Sequence, residues 1–203
     1  MSSDILASPG QRTLAWLNYA YLLAMMAVIA AILTAAMVMQ YAFGELPCPL
    51  CLLQRVAMFG VCFGILLQFR NGFSYQNTGI SMIFALMLLV VAERQTLLDI
   101  YPRPGHEYIG SAVLGLHMPV WSVIVGLLLL LAFAAKMAII GGDRHLEEVP
   151  AKAFPRLGLA ATVIGGYVTL LAIANGISVA VQCGIGECHT TGYALLGPLP
   201  AAP

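Results

Sequence analysis

Five long apolar stretches, separated by short segments rich in polar residues or proline, dominate the hydrophobic pattern of this chain. They cover residues 14–40, 51–69, 79–97, 119–140 and 157–182. A helix needs roughly 20 mostly apolar residues to cross about 30 Å of bilayer hydrocarbon, so the pattern predicts five transmembrane helices. The third is the least regular, because Glu93, Arg94 and Gln95 indicate that its end reaches the water boundary or a polar cavity.

The composition supports the same fold class. Hydrophobic residues make up 61% of the 203 positions and charged residues 9%, which is too apolar for a water-soluble fold of this size. The formal net charge is zero, so no basic surface predicts nucleic-acid binding. The sequence therefore predicts an all-α membrane protein, a bundle of five transmembrane helices that forms one integral membrane domain over residues 1–203.

The distribution of basic residues predicts the orientation of the bundle. With a cytoplasmic N-terminus, six of the nine basic residues lie on the inner side, namely Arg12, Arg70, Lys136, Arg144, Lys152 and Arg156. The other three, Arg55, Arg94 and Arg103, then lie outside, and the positive-inside rule favours this arrangement. The first stretch is longer than the apolar core of a signal peptide, so we expect it to be retained.

Five spans place the C-terminus on the outer side of the membrane. Four of the five cysteines follow it there, namely Cys48, Cys51, Cys183 and Cys188. That side is expected to be the oxidising one, where disulfides form and persist.

The segment "ELPCPLCLLQR", residues 45–55, places two of these cysteines three positions apart. A residue before proline is pushed toward extended geometry, so Cys48 should precede the second helix and Pro49 should begin it. Cys51 then lies in the first turn, where the positive end of the helix dipole favours a thiolate. Arg55, four residues on, lies on the same face and adds a permanent positive charge. The segment predicts a redox-active pair.

Two other interpretations of this pair are open from its spacing. A structural disulfide would fix the loop, and zinc sites use the same C-x-x-C spacing. Arg55 favours the redox interpretation, because an arginine at the edge of the hydrocarbon is costly unless it meets an anion or a polar ligand.

The segment "VQCGIGECHT", residues 181–190, carries the second pair, Cys183 and Cys188. Gly184 and Gly186 give the chain the freedom to bring the two sulfurs together. A small staple that closes the tail is one interpretation. Two pairs on one side of the membrane favour a relay instead, since dithiols exchange electrons through mixed disulfides.

A relay that forms disulfides must pass on two electrons for each bond. The sequence has no G-x-G-x-x-G motif, no C-x-x-C-H haem motif and no ATP-binding loop, so we expect an acceptor dissolved in the bilayer. A quinone, either ubiquinone or menaquinone, meets this requirement. Its ring would lie near Cys51, and Arg55 would polarise a carbonyl oxygen.

These motifs resemble those of the disulfide bond formation protein B (DsbB) family, the quinone-linked oxidases of the bacterial inner membrane. The resemblance covers residues 14–140, a four-helix core, through "PCPLCLLQR" at 47–55, "LLDIYPRP" at 97–104 and "LGLHMPVW" at 114–121. Residues 157–182 would then be an additional transmembrane helix, and residues 183–203 a periplasmic tail.

The resemblance implies roles for three residues and raises a question about two more. Cys48 and Cys51 would form the quinone-coupled pair, with Cys51 meeting the ring and Arg55 beside it. Gln95 stands where the family usually has a histidine near the quinone, seven residues before the proline of the Tyr-Pro motif. We take Gln95 and Arg94 as further candidates for quinone contact, although Arg94 could instead snorkel to the interface.

The family's second cysteine pair normally lies in the outer loop between the third and fourth spans. Residues 98–118 contain no cysteine, so we expect Cys183 and Cys188 to replace that pair. The partner that the resemblance implies is a soluble periplasmic, thioredoxin-like dithiol oxidase of the DsbA type. The predicted function is a membrane thiol:quinone oxidoreductase of the bacterial inner membrane that reoxidises this partner.

Three alternatives remain open. A non-catalytic subunit of a larger membrane complex would keep the cysteines as fixed staples. A metal site built from the four outer cysteines would hold zinc or iron, although we predict no metal. A vitamin K epoxide reductase-like enzyme would share the quinone chemistry, but that family places its redox pair at its last core helix, whereas the strongest motif here begins the second span.

The remaining cysteine and the histidines carry weaker predictions. Cys62 lies eleven residues beyond Cys51, roughly 16 Å deeper along a helix, and is expected to be a small buried hydrophobe. His106, His117 and His145 are expected to be solvated loop residues. His189 and Glu187 flank Cys188, and they are candidates for tuning its thiolate.

Overall fold

The computed structural model describes residues 8–101, 112–140, 149–186, 188 and 192–197. Its five long helices are α1 Pro9–Ala42, α2 Pro49–Asn71, α3 Tyr75–Ile100, α4 Met118–Ile140 and α5 Pro155–Cys183. All five are long and apolar enough to cross a membrane. They confirm the predicted all-α membrane bundle, and each of them contains one of the predicted apolar stretches.

The helices extend a few residues past the predicted apolar stretches. For α1, residues at both ends determine where the helix begins and ends. Ser8 caps α1: its Oγ accepts a hydrogen bond from the Gln11 backbone N–H at 3.4 Å, and the Gln11 side chain accepts one from the Ser8 N–H at 2.7 Å. At the other end, Gly44 has a left-handed φ of 71°, and the Glu45 N–H donates to the Met39 carbonyl at 3.2 Å. This glycine turn directs the chain back toward the start of α2.

The helices pack in chain order, and α5 lies beside the first two. α2 packs mainly against α3, α3 against α4, and α5 against both α1 and α2. Glycines allow the close approaches: a Cβ added at Gly64 would lie 2.8 Å from the Ser81 backbone nitrogen, and one at Gly165 would overlap the Leu66 side chain. Small residues at such contacts let membrane helices pack closely.

A buried apolar cluster runs through all five helices. Its largest buried members include Leu22, Met26, Ile29, Leu33, Ile65, Leu88 and Phe133, and α5 adds Ala161 and Val168. The cluster fixes the helices relative to one another below the end that carries the cysteine pairs, which we call the cysteine end.

A short β-hairpin precedes α4, within the segment that the sequence predicted as an outer loop. Its strands are β1 Ala112–Val113 and β2 Leu116–His117. Leu114 and Gly115 form the turn with φ values of 51° and 80°, the pattern of a two-residue type I′ turn. Trp121 of α4 donates its Nε1–H to the Val113 carbonyl at 3.0 Å, which anchors the hairpin at the cysteine end.

Candidate functional site

The first cysteine pair lies at the N-terminus of α2. Cys48 is the N-cap residue, with extended φ and ψ of −71° and 162°, and Pro49 begins the helix. The Cys51 backbone N–H donates to the Cys48 Sγ at 3.1 Å. This confirms the prediction that Cys48 precedes the helix and that Cys51 lies in its first turn.

The two thiols have different surroundings. Cys48 is buried, Cys51 is half-buried, and both are free thiols in this structure. A side-chain hydrogen bond with Cys51 and burial both raise the pKa of Cys48 above its usual value. Cys48 therefore holds its proton more strongly than an ordinary thiol, and Cys51 is the member of the pair that faces the cavity.

Cys51 faces a cavity of about 450 Å³ between α1, α2 and α4. Most of its wall is apolar, including Ile32, Ala36, Met58 and Val125. Six lining residues carry polar groups, namely Glu45, Cys51, Gln54, Arg55, Trp121 and Ser122. The cavity is thus an apolar chamber that has a thiol and a guanidinium in its wall.

Arg55 is 8% exposed, and three oxygen acceptors hold it in this wall. Its Nη1 donates to Gln40 Oε1 at 2.7 Å and to Asn175 Oδ1 at 3.3 Å. Its Nη2 donates to the Ala36 carbonyl at 3.0 Å. Arg55 therefore connects α2 to both α1 and α5 at the cysteine end.

The second cysteine pair lies at the same end of the bundle. Cys183 is the last residue of α5 and forms a disulfide with Cys188. The preceding residue, Gln182, donates its Nε2–H to the Pro47 carbonyl at 2.8 Å. Because Pro47 precedes Cys48 and Gln182 precedes Cys183, one hydrogen bond joins the backbone beside one pair to the helix that carries the other.

Comparisons with known proteins agree with the motifs in this site. A protein-family model described as "Disulfide bond formation protein DsbB" matches residues 18–107. A curated relative named "Disulfide bond formation protein B", from Cupriavidus metallidurans, is 28% identical over 156 residues, covering 63% of this chain and 96% of the relative. No solved structure was found to match the chain.

The chain is therefore similar to the DsbB family over residues 18–107.

This similarity and the five helices long enough to span a membrane are consistent with a disulfide bond formation membrane protein. The region that matches the DsbB family contains Cys48, Cys51, Arg55 and Gln95, but it ends before Cys183 and Cys188. The second pair and its helix α5 thus lie outside the family match.

The structure separates the two remaining candidates for quinone contact. Gln95 is buried on α3, and its Nε2 donates to the Cys51 Sγ at 3.4 Å while its Oε1 accepts from Gln54 Nε2 at 2.8 Å. It is not one of the residues lining the cavity, so it contacts Cys51 from behind the wall. Arg94 is exposed and lies outside the lining as well, a position compatible with snorkelling.

The other predicted residues lie outside the site or outside the described chain. Cys62 is fully buried in the apolar cluster, as predicted. His117 is half-buried at the end of β2, directly before α4, instead of fully solvated. His106, His145, His189, Glu187, Arg103 and Arg144 lie outside the described residues. Within the described ranges, no group of three or more His, Cys, Asp or Glu residues is arranged to hold a metal ion.

Sequence reasoning missed four polar residues at the cysteine end. Gln40, Asn175 and Gln182 are each at most 3% exposed and hydrogen bond to the site described above, and Glu45 lines the cavity. The signal was available for the first three, because a polar side chain inside an apolar span faces the bundle interior or a functional pathway. Glu45 gave no such signal, because its position depends on the turn at Gly44.

Proposed function

We propose that this protein is a membrane thiol:quinone oxidoreductase of the DsbB family. It reoxidises a periplasmic dithiol oxidase and passes the electrons through two cysteine pairs to ubiquinone or menaquinone. The observation that carries the proposal is that Cys51 and Arg55 line the same apolar cavity. A thiol that can supply electrons and a fixed cation that can stabilise a developing negative charge, both at one apolar chamber, suit quinone reduction.

The cavity suits a quinone in size and character. Its volume of about 450 Å³ falls within the range of small-molecule sites, which are mostly apolar with a few polar groups that fix orientation. A second groove of about 290 Å³ between α1 and α4 shares Ile32 and Val125 with it. That groove is almost entirely apolar, so it can take an isoprenoid tail while the ring occupies the main cavity.

The residues of the first pair supply the electrons. A bound quinone accepts two electrons and two protons and leaves as quinol. The electron pair becomes available when Cys48 and Cys51 form a disulfide, and each thiol releases one proton in the process. Arg55 contributes N–H donors and positive charge at the cavity wall, where they stabilise negative charge on an oxygen of the ligand.

The second pair receives electrons from the partner. Cys188 is half-buried and Cys183 is buried, so the partner's thiolate attacks the Cys188 sulfur and Cys183 leaves as a thiolate. The partner's second thiol then attacks the mixed disulfide, which gives the partner's disulfide and frees Cys188. The partner is thereby oxidised, and the tail pair is reduced by two electrons.

The tail pair then reduces the first pair. The Cys183 thiolate attacks Cys48, and Cys51 leaves as a thiolate into the wall that contains Arg55. Cys188 attacks the Cys183–Cys48 bond, which restores the tail disulfide and frees the Cys48 thiol. Proximity supports this step, since the Gln182–Pro47 hydrogen bond lies one residue from both pairs.

The proposal includes an orientation of the protein in the membrane and a division of the chain into two functional parts. The core of residues 14–140 reduces the quinone, and the added helix of residues 157–182 carries the second pair of the tail 183–203. The N-terminus is cytoplasmic and the C-terminus periplasmic in the bacterial inner membrane, so that the cysteine end meets a DsbA-like partner.

Anaerobic turnover of the purified protein tests the proposal. With an excess of a short-chain quinone and a reduced periplasmic dithiol oxidase, we expect one quinol for each partner disulfide formed. A partner that lacks its resolving cysteine should be trapped on Cys188. A subunit whose cysteines are only staples would form no quinol, and trapping on Cys48 alone would remove the tail pair from the relay.

A further inference from the structure

Polar residues form a stripe along one face of α5. Asn175, Ser178 and Gln182 are spaced i, i+3 and i+7, which places them on the same side of a helix. They are 3%, 3% and 0% exposed, whereas Ile173 and Ile177 on other faces are 55% and 61% exposed. α5 therefore presents its polar stripe to the bundle and apolar residues to the lipid.

Each member of the stripe bonds to a different element at the cysteine end. Asn175 accepts from Arg55 of α2, Ser178 accepts from Gln40 of α1 at 2.6 Å, and Gln182 donates to the Pro47 carbonyl. Simple packing of a membrane helix requires none of these bonds, because small apolar residues are enough for it. The stripe is therefore specific to the site.

Ser178 also fixes the orientation of the Gln40 amide. An amide has a donor end and an acceptor end. Because Gln40 donates from Nε2 to Ser178 Oγ, its Oε1 is left to accept from Arg55 Nη1 at 2.7 Å. Two residues of α5 thus hold Arg55, one directly and one through Gln40.

The acceptors around Arg55 are all uncharged. They are two amide oxygens, the Ala36 carbonyl and the Met37 sulfur, which lies 3.5 Å from Nη1. Within the described chain, no carboxylate is among the groups that accept from Arg55, although Glu45 lines the same cavity. A buried arginine is commonly paired with an acid, whereas the groups that accept directly from Arg55 in the described chain carry no charge.

We propose that α5 supports the wall of the quinone site from behind, and that Asn175 and, through Gln40, Ser178 act as positioning residues for Arg55. They hold the Arg55 guanidinium in the cavity wall with uncharged acceptors, so that its charge remains available to the ligand oxygen that becomes negative during reduction. The inference rests on the proposed quinone chemistry. It gives the added helix two roles, because Asn175 and Cys183 lie on the same helix roughly 12 Å apart along its axis.

A substitution that nearly keeps the shape of the side chain tests the electrostatic part of this inference. Asn175→Asp keeps an oxygen beside Arg55 but adds a negative charge that pairs with it. Negative charge on the ring oxygen grows toward the transition state, so we expect kcat for quinone reduction to fall about tenfold, less than the roughly hundredfold or greater loss when an oxyanion donor is removed outright. Asn77→Asp, a buried asparagine of α3 far from the cavity, is the matched control and should keep the wild-type rate.

Asn175→Ala tests whether Asn175 positions the Arg55 guanidinium. Loss of the acceptor loosens Arg55 before any charge develops, so KM for the quinone should rise more than kcat falls. Gln40→Glu adds a carboxylate to the same Nη1 from α1, and it should reproduce the kcat effect if Asn175→Asp does not fold. Melting temperature and the rate of partner exchange at the Cys183–Cys188 disulfide are measured alongside, and both should stay near wild type in the folded variants.

The outcomes separate this inference from the proposed function. A wild-type protein that reduces no quinone would overturn both. Wild-type turnover together with unchanged kcat in Asn175→Asp and Gln40→Glu would overturn the role of the uncharged acceptors alone. Unchanged KM and kcat in Asn175→Ala would show that α5 does not position Arg55.

Discussion

Two buried cations lie at opposite ends of the bundle, and only one of them is part of a site. Arg55 lies in the wall of the cavity beside Cys51. Lys136, about 25 Å away along α4 from the cavity-lining Pro119, is 3% exposed, donates to Gln68 Oε1 at 2.7 Å and lies 4.9 Å from the centre of the Phe73 ring. Neither of the two cavities described above is lined by Lys136.

The comparison shows what a buried cation needs in order to act on a ligand. Both cations meet uncharged acceptors, so the absence of an acid partner does not by itself mark a functional group. Lysine can lose its proton when buried, whereas arginine stays charged. A permanent charge, open space in front of it and an adjacent thiol occur together only at the cysteine end among the described residues. The predictions below compare the two ends.

The largest effect is expected from the thiols of α2. Cys51→Ser should abolish quinol formation, because it removes the sulfur that faces the cavity. Cys62→Ser changes a thiol of the same helix that is fully buried in the apolar cluster, and it should keep quinone reduction. Anaerobic absorbance assays of quinol measure both. Quinol formation by Cys51→Ser would contradict the role of this thiol.

Loss of the tail pair, Cys183 and Cys188, should stop oxidation of the partner but leave quinone reduction by the first pair intact. Cys188→Ser removes the half-buried sulfur that we expect the partner to attack, so turnover driven by the partner should fall to background. The Cys48 and Cys51 thiols of the same variant, reduced chemically beforehand, should still reduce one quinone per protein. If the partner drives the variant at the wild-type rate, the tail pair is a staple.

Removal of Arg55 and removal of Lys136 should change the rate of quinone reduction by amounts that differ by orders of magnitude. Arg55→Met removes the charge and donors at the cavity wall, and we expect quinone reduction to slow by about 10²–10³-fold, or roughly 3–4 kcal/mol in the barrier. Lys136→Met should leave the rate within about twofold, since substitutions distant from the reacting groups leave the transition state unchanged. Equal losses in the two variants would indicate a general effect of removing a buried cation.

The smallest effect is expected at Gln95. Gln95→Leu removes the hydrogen bond from Nε2 to the Cys51 sulfur, and the rate of quinone reduction should fall about fivefold, which corresponds to the ~1 kcal/mol of one typical hydrogen bond. Gln95→His restores a nitrogen donor and should recover most of the rate. Single-turnover kinetics resolve a difference of this size. A histidine variant as slow as the leucine variant would argue against the donor as the cause.

Local features were predictable from the sequence. Length and hydrophobicity were enough to predict the five spans, and the prolines around Cys48 were enough to predict where α2 begins. The spacing of Cys51 and Arg55 on one helical face also follows from chain geometry alone. These predictions succeed because each depends on a few residues that are neighbours in the sequence.

The features that sequence reasoning missed depend on contacts between distant residues. Nothing near Arg55 in the chain indicates that Asn175, 120 positions later, accepts from it. The spacing of Asn175, Ser178 and Gln182 predicts a polar face on α5 but not the helix that it meets. The charge distribution predicts only that Lys136 lies on the inner side, and its burial against Gln68 and Phe73 follows from how α2 and α4 pack.

The most direct test of the central claim isolates the first pair. A Cys183→Ser, Cys188→Ser double variant, fully reduced and mixed once with a short-chain quinone without oxygen, should form one quinol per protein. Disulfide mapping should then find the Cys48–Cys51 bond. Free thiols at both positions and no quinol would contradict the account.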